Sequence, residues 1–162
     1  MRRALVIAAA LALAACGQTG PKALDATGAG KTFLAKNAHA PGVTVTASGL
    51  QYQVLHAGSQ TGLKPKLADE VKVDYEGELL DGQVFDSSYQ RGEPAVMTVR
   101  ELVPGWQEAL QMMRPGDEWR IWLPASLGYG DKEAGPIPPG SVLVFKLRLI
   151  EVQPDQSSVG RG

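Results

Sequence analysis

The stretch Glu70 to Leu80 constrains this chain more than any other. Val71, Val73, Tyr75, Gly77 and Leu79 alternate there with Glu70, Lys72, Asp74, Glu76 and Glu78. A period of two puts the first set on one face of an extended strand and the second on the other, so one face is core and the other meets water. Asp81-Gly82 follows at once. Such a pair reads as a two-residue hairpin loop in a type I′ turn, whose central residues both need positive φ. The chain is then expected to return through Gln83, Val84 and Phe85, beside the strand it has just left.

Other segments extend this sheet. Leu50, Tyr52 and Val54 alternate with Gln51 and Gln53, which reads as a half-buried strand. Ala95 to Val99 is another strand, Glu118 to Leu123 turns Trp119, Ile121 and Leu123 inward, and Ser141 to Val152 does the same with Leu143, Phe145, Leu147 and Leu149. Trp122 points away from Trp119 and reads as a surface aromatic. Pro104 suits the first turn of a helix, where a missing N–H costs nothing. Trp106, Leu110 and Met113 then share one helical face before Arg114-Pro115-Gly116 ends the element. A short helix over Lys31 to Ala40 stops at Pro41-Gly42. Meandering strands around one short amphipathic helix predict an α+β fold, an antiparallel twisted β-sheet curled around that helix.

Length and charge bound the rest. A chain of 162 residues fits one domain with a short tail. With 20% charged residues and a net charge of −1, no basic field exists to hold a polyanion, which excludes nucleic acid as a partner. Gly28-Ala29-Gly30-Lys31-Thr32 looks like the end of a phosphate loop, but Asp25 stands where the pattern needs glycine and no strand precedes it. Nucleotide binding is rejected. His39 and His56 are alone and far apart, and Cys16, the one cysteine, has no His or acid near it. Neither a metal site nor a His-based triad can be assembled from them, and no cofactor is implied.

At the N-terminus, Arg2 and Arg3 precede an apolar run from Ala4 to Ala15. The run is too short for a bilayer core of about 30 Å and suits the apolar region of a signal peptide. Leu13-Ala14-Ala15-Cys16 resembles the lipobox of bacterial lipoproteins, in which the cysteine is lipidated and becomes the first mature residue. The resemblance implies a signal peptide over 1–15 and an anchor at Cys16 with more than one acyl chain, as stable membrane attachment requires. Gly17 in place of Asp implies outer-membrane placement facing the periplasm. Residues 16–42 then form a lipidated N-terminus, a tether too poor in large apolar residues to order itself, and the short helix. Residues 43–152 form the globular domain, and the polar tail 153–162 is expected to be disordered.

Six ordered motifs carry a second resemblance. Val73-Asp74-Tyr75-Glu76-Gly77, Asp81-Gly82-x-Val84-Phe85-Asp86-Ser87-Ser88, Val103-Pro104-Gly105-Trp106, Leu127-Gly128-Tyr129-Gly130, Ile137-Pro138-Pro139 and Leu143-Val144-Phe145 resemble the FKBP-type peptidyl-prolyl isomerases at nearly the family's spacing. Phe33 to Asn37 and Ser48 to Tyr52 look like the lead-in of the bacterial Mip-like branch. The resemblance implies isomerisation of bonds preceding proline, in aid of protein folding in the cell envelope, without metal or cofactor. It implies an apolar pocket walled by Tyr75, Phe85, Leu102, Val103, Trp106, Ile137 and Phe145, with Asp86 and Tyr129 as catalytic polar groups. Tyr129 O–H and the Ile137 N–H would donate to substrate carbonyls. Partners would be proline-containing polypeptides and macrolide inhibitors. Two positions depart from the pattern: Ala95 replaces an aromatic wall, and Glu133 or Ala134 occupies a loop position before the Ile-Pro-Pro turn.

The residues alone also allow plainer readings. Tyr75, Phe85 and Phe145 could be core, Trp106 a floor or a filler, and Asp86 a turn cap. A non-catalytic envelope chaperone or adhesin using the same groove is the alternative function, and a purely structural lipoprotein a third. Relatives of the Mip-like branch often carry a long dimerisation arm, and with about 26 residues between Cys16 and Val43 a monomer is expected here.

Overall fold

The structure, a computed structural model, describes residues 28–156. The signal-peptide segment, Cys16, most of the tether and residues 157–162 of the tail lie outside the described residues. In chain order the elements are α1 (Ala29–Asn37), β1 (Val43–Val45), β2 (Gln51–His56), β3 (Glu70–Leu79), β4 (Val84–Ser87), α2 (Ser88–Arg91), β5 (Ala95–Thr98), α3 (Pro104–Met112), β6 (Glu118–Leu123) and β7 (Leu143–Gln153). The strands form one sheet in the order β1-β2-β6-β7-β3-β4, with β5 also paired to β3. Every pairing is antiparallel. The α+β architecture read from the sequence is the architecture observed.

β3 follows its pattern closely. Val71, Val73, Tyr75 and Leu79 are buried, and the strand pairs with β7 from Glu70↔Gln153 to Leu79↔Leu143. The hairpin after it differs from the expected type I′ loop. Gly82 N–H donates to Leu79 O and Leu79 N–H to Gln83 O, both at 2.9 Å, leaving Leu80, Asp81 and Gly82 as a three-residue loop. Of these three residues only Gly82 has positive φ, +86°. Asp81 Oδ1 accepts the Gln83 N–H at 2.9 Å, which holds Asp81 in an ordinary conformation, and a register shift between Gly77 and Glu78 absorbs the extra residue.

Helix α3 begins at Pro104 and lies in the curl of the sheet. Its Trp106, Ala109 and Leu110, with Met113 just beyond, pack against Ile121, Leu123, Leu143, Phe145, Leu147 and Leu149. Each fully buried Leu or Ile stabilises the fold by about 1.5–3 kcal/mol relative to an exposed position, so this contact is what gives the sheet its curvature a purpose.

The outer face is less simple than the alternation implied. Gln51, expected toward water, is 4% exposed, while Val54, expected inward, is 46% exposed. Gln51 donates to Leu34 O at 2.8 Å and accepts from Asn37 at 2.9 Å, so α1 covers this part of the sheet. Trp122 pairs with Gln51 across the β2–β6 ladder and is only 7% exposed, a buried residue rather than a surface aromatic. The helix docked on the outer face reverses the polarity rule for Gln51, whereas Val54 lies on the opposite face and its exposure does not come from α1. α2, a single turn, was not foreseen; Ser87 caps it by accepting from the Gln90 N–H.

Candidate active site

A hollow of about 230 Å³ opens where β3, β4 and β7 meet the start of α3. Its floor is Trp106, 4% exposed at the first turn of α3 and so both floor and filler. Tyr75 from β3 and Phe145 from β7 meet the indole edge-on, at centroid distances of 5.0 and 5.2 Å. Phe85 from β4 stands edge-on to Phe145 at 5.6 Å. Gly77 makes this packing possible, since a Cβ there would lie 2.6 Å from Phe145 and 2.7 Å from Phe85. Leu102 and Val103 close one side, and Tyr129, from the loop between β6 and β7, closes another. Edge-to-face aromatic packing of this kind holds rings in fixed orientations.

One polar edge interrupts the apolar wall. Tyr75 O–H donates to Asp86 Oδ2 at 2.5 Å, and Arg91 bonds both Asp86 Oδ1 and, at 2.9 Å, the Tyr75 hydroxyl. Asp86 is therefore a network member rather than a turn cap. Burial alone would raise its pKa, but the hydrogen bonds from Tyr75 and Arg91 and the guanidinium charge overcome this and hold the carboxyl below the usual carboxylate range. Burial and the bond to Asp86 push the Tyr75 phenol up, against the lowering influence of Arg91. At neutral pH the network is one carboxylate, one neutral phenol and one guanidinium.

Eight of the nine residues proposed from sequence line this hollow: Tyr75, Phe85, Asp86, Leu102, Val103, Trp106, Tyr129 and Phe145. Ile137 does not. It is 4% exposed within the core cluster, and its N–H donates to Ala134 O at 2.9 Å while its carbonyl accepts from Ala134 N–H, closing a tight turn. Its N–H is thus already engaged, contrary to the expected donor role. Val103 offers another donor: it precedes α3, lines the hollow, and its N–H has no acceptor among the described residues. Met97, Glu101 and Arg91 also belong to the site or its edge and were missed. An exposed Arg five residues beyond Asp86 carries no sequence signal of its own.

This arrangement matches known proteins. The model of the FKBP-type peptidyl-prolyl cis-trans isomerase family matches residues 62–150. The chain belongs to that family. The FKBP match takes in every lining residue of the hollow. A second model, of the domain amino terminal to FKBP-type isomerases, matches residues 9–54. Among relatives, the chain is 50% identical over 124 residues to the peptidyl-prolyl cis-trans isomerase Mip of Coxiella burnetii, covering 76% of this chain and 53% of that one. It is 46% identical over 133 residues to the outer membrane protein MIP of Legionella longbeachae, covering 82% and 56%. A crystal structure of a peptidyl-prolyl cis-trans isomerase from Pseudomonas syringae superposes with a TM-score of 0.72 at 37% identity, covering 78% of this chain and 92% of that one. The chain spans about half the length of the curated relatives it matches.

Proposed function

We propose that this protein is a peptidyl-prolyl cis/trans isomerase that assists folding of proline-containing proteins in the bacterial cell envelope. The observation that carries the reading is the hollow itself, an aromatic and aliphatic cup, floored by Trp106, whose one polar edge is held by Tyr75, Asp86 and Arg91. The names of the Mip relatives support it.

The chemistry needs no covalent step. Amide resonance sets a barrier of about 18–20 kcal/mol to rotation, while the two isomers before proline differ by only about 0.5–1 kcal/mol. At the twisted geometry the charge-separated resonance form is lost. A dry apolar cup therefore favours the twisted amide over the planar one, which is differential binding of the transition state. In this reading Trp106, Tyr75, Phe85, Leu102, Val103 and Phe145 hold the proline ring. The Val103 N–H and the Tyr129 hydroxyl donate to substrate carbonyls, and Asp86 fixes the cup's polar edge. Macrolide inhibitors would compete for the same cup.

Residues 1–15 are proposed as a signal peptide and Cys16 as the lipidated residue of an outer-membrane anchor facing the periplasm, which the name of the Legionella relative favours. Residues 16–42 are then the tether and α1, and residues 43–152 the catalytic domain of a monomer; the tail is ordered at its start, where β7 runs on to Gln153 and Asp155 N–H donates to Asp69 Oδ1 at 3.0 Å. Adding the purified protein to a proline peptide in a protease-coupled assay is expected to accelerate the slow cis phase in proportion to enzyme concentration. No acceleration at any concentration overturns the catalytic reading, and peptide binding without acceleration replaces it with a non-catalytic binding module.

A further inference from the structure

The hollow is lined by two carboxylates in different electrostatic circumstances. Asp86 is committed: it accepts from Tyr75 and is ion-paired with Arg91. Glu101, on the helical turn just ahead of α3, is exposed and makes no hydrogen bond or ion pair among the described residues. Arg100, the adjacent cation, does not offset it, because Arg100 lines a separate cleft together with Glu70 and Gln153. The loop that follows Tyr129 carries Asp131, Lys132 and Glu133, all exposed and outside any ion pair among the described residues, but none of them lines the hollow. Of the two carboxylates that line the cup, Glu101 is thus the one left without a partner among the described residues.

From this placement we infer that Glu101 is a specificity-determining residue, selecting prolyl segments that carry a Lys or Arg within one residue of the proline over segments that carry Asp or Glu there. The inference rests on the isomerase reading of the cup and deepens it. The partner is a cationic proline-containing polypeptide. A proline ring seated on Trp106 leaves the flanking side chains at the rim, where Glu101 offers an uncompensated carboxylate. Such a contact is solvent-exposed, so its effect is modest and salt-sensitive. Opposite charges on otherwise identical substrates should separate kcat/KM by about twofold to tenfold at low ionic strength, since each sign contributes one exposed charge interaction.

The test uses matched proline peptides with Lys or Glu immediately before the proline, and a second pair with the charge immediately after it. Rates come from a protease-free assay such as exchange NMR, which avoids a coupling protease's own preference. In at least one pair the Lys peptide is expected to exceed the Glu peptide within that range at about 0.02 M salt. The ratio should fall toward one at about 1 M salt, where screening acts within about 3 Å. It should fall likewise in Glu101→Gln and invert in Glu101→Lys. Equal rates within both pairs at low salt, or a ratio that Glu101→Gln leaves unchanged, overturn the inference while the isomerase reading stands. If no peptide is turned over, the isomerase reading fails, and anisotropy titration of labelled copies of the same peptides decides the charge preference. Equal affinities then overturn it as well.

Discussion

Asp86 is the residue on which the site's polar edge turns, because its two oxygens are shared between the Tyr75 hydroxyl and Arg91. Replacing it with Leu breaks both contacts, and replacing Tyr129 with Phe removes the hydroxyl proposed to donate to a substrate carbonyl. Each change is expected to lower kcat/KM for a proline peptide by about fivefold to tenfold, the worth of about one hydrogen bond, with little change in Tm for Tyr129→Phe and a modest fall for Asp86→Leu, which also loses the stability its paired carboxylate contributes. Steady-state kinetics beside thermal melts check this, and unchanged turnover in both variants would return these side chains to a packing role. Asp86 also gives a pH signature. Its folded-state pKa is depressed, so its contribution to stability is present above the unfolded value near 4 and is lost as pH falls through the folded value. Below about pH 4 the Tm of the parent protein should therefore fall more steeply than that of Asp86→Asn, with the two curves drawing together in acid. Curves that stay parallel there would mean that Asp86 is not held ionised by its partners.

Among elements, β3 and the β7 strand beside it were legible because a water-facing side and a core-facing side impose a period of two on the sequence. The same rule misread Gln51, Val54 and Trp122. Whether a polar strand face is wet depends on what docks on it, and α1 covers the part of this one that holds Gln51, while the exposure of Val54 on the other face has no such account. The hairpin was legible as a turn but not in its type, because the side chain of Asp81 satisfies Gln83 N–H locally and leaves the positive φ to Gly82 alone. Eight of the nine site residues could be chosen in advance through their motifs, whereas the Val103 N–H is a backbone group that no side-chain pattern reports. Two substitutions separate core from cup at this scale. Leu147→Ala, at a fully buried position, should cost about 2–5 kcal/mol of stability in denaturant unfolding and leave kcat/KM of the folded fraction nearly intact. Gly77→Ala should do more to the cup, since its methyl would press on Phe85 and Phe145. Overpacking of that kind costs about 1–3 kcal/mol and displaces the rings that form the wall. Loss of stability without loss of activity in Gly77→Ala would show that the two rings do not define the site.

For the whole molecule, the proposed anchor and the catalytic domain are separate claims with separate tests. Cys16→Ser is expected to abolish fatty-acid labelling and move the protein out of the membrane fraction, while leaving isomerase activity of the domain intact. Labelling that persists in the variant would contradict the lipobox reading. The central claim concerns how the cup works. His39 lines a different hollow at the end of α1, and His56 is exposed at the end of β2. Two titratable groups at the cup's edge are displaced away from neutrality in opposite directions, Asp86 downward and Tyr75 upward. A site that acts by desolvation and fixed hydrogen bonds should therefore keep one protonation state across the neutral range. The most direct measurement is kcat/KM for a proline peptide between about pH 6 and 8. The account predicts clear acceleration that is nearly flat across that range, whereas a limb or bell titrating near neutrality, or no acceleration at all, would contradict it.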